Sequence, residues 1–413
     1  MSRPRAQFHP ALYVAAELIA IVGYATRPKS RLRWPFFLTI AAISIYLIFY
    51  TTTGNISTDY SFGGAITALF FTASDFLVLN PDIQQQFKPV ARRLKSYRAK
   101  EKAGAEAKKE GEDDGTSKAG WKPRFFWALK LRFNPRGVGW THEAPLSAPT
   151  DSQNALSAKK ITRGSFVLRR LFEGALNAII LDICTVAAKE NPYFAKGRPE
   201  LLFQASWAWR TLSVFQFVGM TYCGLRMMHS FLSAAFVGTR ISEPEDWPLL
   251  FGNLGEAYTV RRFWGKFWHQ LLRRFLTAHA DLITYRILRL RHRTIPATAS
   301  KFLFAFFFSG LSHYGSDCMI LNNWSGGAMY TFVIQAFAIG AEALVGLVAQ
   351  HLGRPIVPNT FTKALGYIWV IWWVGYSWAF WIAPVVSSGY LEAKDDLGII
   401  RSLLDMYYDG KKA

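Results

Sequence analysis

The amino-acid sequence predicts an all-α, polytopic membrane protein with about eight transmembrane helices around an internal tunnel. Three observations lead there. The 413 residues are 51% hydrophobic and 16% aromatic. Apolar runs of about 20 residues recur along the chain, the length that crosses a hydrocarbon core about 30 Å thick. Lys and Arg gather in alternate connectors, as the cytosolic loops of a membrane protein do. Without water at bilayer depth the backbone must satisfy its own polar groups, and helices do so within one segment.

The spans are expected at residues 8–26, 35–52, 62–80, 165–187, 206–237, 302–321, 326–349 and 365–386. The first run follows Arg3 and Arg5, is long enough to span and has no clean small-residue cleavage site, so it reads as a retained span. The connector Arg27, Lys29, Arg31, Arg33 is basic and is placed in the cytosol; that from Thr51 to Ser61 lacks Lys and Arg, carries the sequon Asn55-Ile56-Ser57 and is placed in the lumen. Alternation then gives a cytosolic loop over 81–164 with a charged flexible linker from Ala99 to Ser117, which includes Lys108. A cytosolic, interfacial motif region follows over 239–300, and Asn323-Trp324-Ser325 lies in a second lumenal turn. The tail bearing Leu403, Leu404, Met406 and Tyr407 is lumenal by parity. The whole of 1–413 reads as one membrane-bound unit, with no repeat of solenoid or transporter type.

The formal net charge of +20 suits anionic lipid or a phosphorylated ligand. Nucleic acid is not expected as a partner, because no recognition motif accompanies the charge. Cys184, Cys223 and Cys318 fall in or beside apolar runs without CxxC spacing, which indicates neither disulfides nor zinc. His279-Ala280-Asp281 lacks the further ligands of a metal site, and no metal is expected. Asp75, Glu173 and Asp182 lie at membrane depth, where they either pair with Arg169, Arg170 or other polar groups or form a proton path.

His313 carries the most chemistry. It sits in an apolar span among Ser309, Gly310, Ser312 and Gly315, and an ionisable group at that depth faces a cavity or a partner. The small residues leave room for a substrate or let a neighbouring helix approach. A histidine hydrogen-bonded between helices is the plain alternative. Neutral imidazole is suited to removing a hydroxyl proton near neutral pH. Asp317, four residues on, shares the helix face and would orient the ring, although a helix-end hydrogen bond explains it equally. The bulky run Phe304, Phe306, Phe307, Phe308 would shorten any cavity beside His313 or simply pack.

A second constellation runs from Glu243 through Trp247 to Gln270. Its acidic and proline-bearing start, followed by Arg261, Arg262, Trp264, Lys266, Trp268 and His269, reads as a loop entering an amphipathic helix at the bilayer surface. Aromatic residues at that depth also serve as plain interfacial anchors. A third segment, Asn134-Pro135-Arg136-Gly137-Val138-Gly139-Trp140, offers two glycines for close backbone approach and an arginine for a phosphate or for fixing the loop.

Taken together, Arg262-Phe263-Trp264-Gly265-Lys266-Phe267-Trp268-His269 and the Ser-Gly-Leu-Ser-His setting of His313 resemble the membrane-bound O-acyltransferase superfamily, in its wax-synthase-like branch. Within that branch the chain is similar to fungal acetyltransferases of terpenoid and meroterpenoid pathways. Related sterol and diacylglycerol enzymes end the first motif in Asp-Trp-Trp-Asn, where this chain has Lys266 and His269. The Arg136 segment looks like that group's Arg-Gly-x-Gly-Trp element, but Thr141-His142-Glu143 departs from its aromatic continuation.

The resemblance implies an O-acetyltransferase of the endoplasmic reticulum that uses acetyl-CoA as cosubstrate and a lipophilic terpenoid alcohol as acceptor, with no permanently bound cofactor. His313 would be the base, and His269 would orient the thioester or stabilise the oxyanion. Arg136, Arg261, Arg262 and Lys266 are candidate contacts for the CoA phosphates, and Trp264, Trp268, Ser309 and Ser312 for substrate. A long-chain wax ester synthase is the alternative within the class. A transporter would explain the spans but not the two histidine-bearing motifs together.

Overall fold

The computed structural model describes residues 5–28, 30–80, 82–87, 120–144 and 162–394, with 398 and 402. The linker with Lys108 and the tail from Leu403 lie outside the described residues.

Each expected span is helical. In chain order, α1 is Pro10–Ala25, α2 Arg33–Tyr50 and α3 Ile56–Ala73, the last continuing as a π-helical turn over Ser74–Leu79. A surface helix, α4, covers Trp121–Arg132. Then come α5 (Arg163–Lys189), α6 (Trp207–Gly238), the amphipathic α7 (Arg273–Asp281), α8 (Ile295–Leu321) and α9 (Ala328–His351). The chain continues through α10 (Thr360–Ser377) and, past Trp378, α11 (Ala379–Ser387). Six of these are long and apolar enough to cross a membrane: α2, α3 with its π turn, α5, α8, α9, and α10 with α11 taken as one span. The remaining two expected spans differ in kind. α1 has 16 residues, and α6 has 32 but carries Arg210 and Arg226.

The helix starts follow local chemistry. Asn55, Thr162, Ser206, Thr294 and Asn359 accept a hydrogen bond from a backbone N–H of the first turn of α3, α5, α6, α8 and α10. Such caps typically contribute about 1 kcal/mol each.

The connectors read as lumenal meet at one end of the molecule. Strands β1 (Ala6–Gln7) and β2 (Thr51–Thr52) pair in parallel, Ala6 opposite Thr51. Arg5 donates to the carbonyls of Cys318 (2.9 Å) and Met319 at the end of α8. Phe49 meets Trp324 at 5.5 Å, and Asn55 donates to the Ala393 carbonyl at 3.0 Å.

α8 occupies the centre, against α3, α7 and α9. The crossing with α3 depends on absent side chains: a Cβ on Gly315 would run into the Thr67 hydroxyl, and one on Gly63 into the Gly315 carbonyl. Gly310 faces Met329 of α9, where a Cβ would lie 3.1 Å from the sulfur, a tight contact but not a collision. The glycines beside His313 therefore serve helix approach, as small residues do where lipid supplies no hydrophobic drive between helices. Outward faces stay apolar: Leu168 and Phe172 on α5, Leu344 and Leu347 on α9 and Ile368 on α10 are exposed, as a lipid-facing surface requires.

Candidate active site

The second motif is held from α9. Thr259 caps a short helical turn, Val260–Arg262, which continues as a π-helical turn over Phe263–Phe267. Glu342 accepts from the backbone N–H of Val260 (2.6 Å) and Arg261 (3.1 Å) and from the Trp369 indole (2.8 Å). Seven residues earlier on the same face, Gln335 accepts from the indoles of Trp264 (3.3 Å) and Trp373 (2.8 Å). It also donates to the Thr331 carbonyl and the Ser377 hydroxyl. One face of α9 thus templates the motif, and π-helical turns of this kind recur at functional sites. Gln270 then ties the segment back on itself by donating to the carbonyls of Trp264 and Trp268.

Between this motif, α7, α8 and α9 lies a cavity of about 1050 Å³. Eight of the ten residues put forward from sequence for catalysis or binding line it: His313, His269, Arg261, Arg262, Trp264, Lys266, Trp268 and Ser309. On α8 the lining residues Thr298, Lys301, Phe302, Ala305, Ser309 and His313 recur at helical spacing, so one face of the helix forms a wall. The fifteen steps along the helix from Thr298 to His313 span roughly 22 Å at about 1.5 Å per step.

At the deep end the His313 ring stacks on Phe332 at 4.6 Å with 4° between planes, and Trp381 leans against it at 4.9 Å. Among the described residues neither His313 nitrogen has a hydrogen-bond partner. His269 also faces the cavity, and its Nδ1 is buried without a hydrogen-bond partner. Burial, then the neighbouring His313, then Arg136 push its pKa down from the usual 6.5 to about 3, so the ring is neutral at physiological pH.

The other end is cationic. Arg261, Arg262 and Lys266 are joined by Arg273, Arg293 and Lys301, three residues the sequence reading did not select. Arg262 pairs with Glu256 and lies over the Tyr258 ring at 4.5 Å, and Lys301 pairs with Asp281 at 2.6 Å. Arg261 lies over Phe302 at 5.6 Å.

Several expectations change. Asp317 does not bond to the His313 imidazole: its Oδ1 accepts from the Trp381 indole (2.9 Å) and its Oδ2 from the Ala328 N–H (3.0 Å). Sharing a helix face does not decide the matter when donors from two other helices lie nearer. Arg136 is not part of the cavity lining; it is buried and donates to the Leu249 carbonyl at 2.8 Å, so it fixes the loop rather than offering an open cation. Ser312 likewise stays out of the lining, because its hydroxyl turns back to the Ser309 carbonyl at 2.8 Å. Of the four phenylalanines only Phe306 faces the cavity; Phe307 is exposed, and Phe308 packs on Phe71 and His279. Glu173 pairs with Arg169 and Arg170, and Asp75 with Arg274, which favours structural pairing over a proton path through these acids. His279 is bonded to the Phe275 carbonyl and the Ser74 hydroxyl.

The site is thus a histidine at membrane depth, open to a cavity whose lining also carries cations, within a bundle of lipid-facing helices, and the class of protein follows from its relatives. The family model described as the membrane bound O-acyl transferase family matches residues 247–334, which include both His269 and His313. The acetyltransferase ple2 of Rhodocybe pseudopiperita is 30% identical over 95% of this chain and 97% of its own. The acetyltransferase eriL of Hericium erinaceus is 28% identical over 92% and 91%. Over 40% of each chain, the acetyltransferase aurG of Calcarisporium arbuscula reaches 35%. The chain belongs to the membrane-bound O-acyltransferase family.

Proposed function

We propose that the protein transfers the acetyl group of acetyl-CoA to a hydroxyl of a lipophilic terpenoid or meroterpenoid, in the endoplasmic reticulum membrane, with His313 as general base. The observation that carries this reading is the single cavity running from a cationic mouth to His313. A CoA thioester has its phosphates at one end of a long arm and its reactive carbonyl at the other, and the cavity offers partners for both ends. Arginine and lysine suit the phosphates.

In the chemistry proposed, His313 takes the proton from the acceptor hydroxyl as its oxygen attacks the thioester carbonyl carbon. The tetrahedral intermediate then collapses with cleavage of the carbon–sulfur bond, and the imidazolium returns the proton to the leaving thiolate. His269, held neutral and with an unpartnered ring nitrogen, is the candidate donor to the oxyanion. The aromatic surround of His313 supports a short acyl group: Trp264 touches both Phe306 (5.7 Å) and Phe332 (5.6 Å), and Phe332 stacks on the imidazole. That all three relatives are named acetyltransferases supports the same donor.

Purified protein with labelled acetyl-CoA and a panel of terpenols tests the reading. Formation of the acetate ester is expected. Equal turnover of palmitoyl-CoA would return the wax ester synthase alternative, and hydrolysis without ester formation would remove the acceptor class.

A further inference from the structure

Asp317 is completely buried, and its two carboxyl oxygens are spent on donors from two different helices, the Trp381 indole of α11 and the Ala328 N–H that opens α9. Those two helices supply the two aromatic rings that hold the His313 imidazole. Trp381 touches it directly, and Phe332, one turn beyond Ala328, stacks on it; the two rings also meet each other at 5.3 Å and 62°. We propose that Asp317 is a positioning residue for His313, acting through Trp381 and the first turn of α9 and not by contact with the imidazole. The inference rests on the reading of His313 as the base.

Two features set this apart from an ordinary helix cap. The residue that would normally cap α9 is Gly327, which has no side chain to do so. An ordinary capping side chain at that position would accept from the second or third N–H of α9, whereas Asp317 takes the first, that of Ala328, with a carboxyl inside the bundle, where an acid is costly to bury. The turn is also shaped around the carboxyl: a Cβ on Gly326 would collide with the Asp317 side chain, and one on Gly327 with the Phe380 carbonyl. Only a group on the helix that carries His313 ties all three elements to one ring. Releasing it lets Trp381 turn and the start of α9 shift, and both motions carry the imidazole away from the reacting hydroxyl. A displacement of about 1 Å is enough for a rate loss on the order of 100-fold.

Asp317→Asn keeps the volume but presents an amide N–H2 where one acceptor stood, and Trp381→Phe keeps the ring and removes its donor. Each should lower kcat by about 10-fold to 100-fold with the acyl-CoA KM within about twofold. Because both break the same link, the double variant should be no slower than the slower single one. Wild-type kcat in folded Trp381→Phe, full multiplication of the two effects, or a loss confined to KM would overturn the proposal. If Asp317→Asn does not extract as a single folded species, Trp381→Phe alone decides. His313→Ala run alongside separates the two readings: retained turnover there refutes the base itself, whereas its loss with intact Trp381→Phe refutes only the positioning role.

Discussion

Around His313 the cavity wall is aromatic, built by Phe332, Trp381 and Trp264 against one another, whereas the wall that includes Lys301 carries cations, six in the lining as a whole, of which only some have acidic partners. Among the described residues Arg262 and Lys301 are paired, while Arg261, Lys266, Arg273 and Arg293 have no carboxylate within bonding distance. On the proposed function the difference is one of task. Geometry must be exact to within fractions of an ångström where a proton moves, and tight packing supplies it. Charge attraction tolerates several arrangements, and unpaired cations on mobile side chains keep it available to a phosphate-bearing ligand. Substitutions at the two ends should therefore affect different kinetic constants.

The largest effect is expected at the aromatic end. His313→Ala should lower kcat by about 10²–10⁴-fold, the usual contribution of a positioned base. The protein should still extract as one species and bind CoA, and His351→Ala, exposed at the end of α9, should match wild type. At the cationic end, Arg273→Ala combined with Arg293→Ala should raise the acyl-CoA KM by at least about tenfold and weaken its salt dependence, with kcat within about twofold; the loss of even one charge-assisted bond of roughly 1.5 kcal/mol gives that factor. A fall in kcat equal to the rise in KM would show that the two ends are not separable.

Phe306 lies between the two regimes. Phe306→Ala should raise the turnover of butyryl-CoA relative to acetyl-CoA by about tenfold, the low end of what a methylene-sized change in a pocket yields. An unchanged ratio in side-by-side assays would assign the restriction elsewhere. The smallest effect concerns stability. With its folded pKa near 3 and its unfolded value near 6.5, His269 binds more protons in the unfolded chain between those values, so it removes stability as pH falls below about 6.5. His142, pushed down to about 4 by burial and then by Arg274, acts in the same direction. His269→Asn should therefore lose less thermal stability than wild type between pH 7 and pH 5 in a detergent thermal-shift series, and an identical slope would count against the buried neutral ring.

The same contrast explains what could be read from the chain. Apolar runs give the helices directly, because bilayer thickness imposes a length and the interior excludes any other backbone. His313 stands out as a lone titratable group in such a run. Arg273, Arg293 and Lys301 do not, because basic residues at the bilayer surface are common, and only the meeting of α7, α8 and their connector gives these three a shared cavity. Asp317 was legible as a partner on the right face of the right helix, but the choice among donors depended on Trp381 and Ala328, distant in sequence or across a turn. Arg136 illustrates the converse. A conspicuous arginine beside glycines suggests a ligand, and in the structure its Nη1 donates to a backbone carbonyl 113 residues away.

The clamp of Arg5 on the end of α8 bears on how the protein is made. Its acceptor at Cys318 lies 313 residues further along the chain. At a synthesis rate of roughly 5–20 residues per second, the first segment must remain unpartnered for about 15–60 s before the helix it seals has been translated. Until then the β1–β2 pairing can hold Ala6 and Gln7 beside α2, within reach but with nothing to grip. The helix that bears His313 is consequently among the last parts to be locked, and mutations in the first ten residues should show themselves as slow maturation in the membrane before they show themselves in turnover by the finished enzyme.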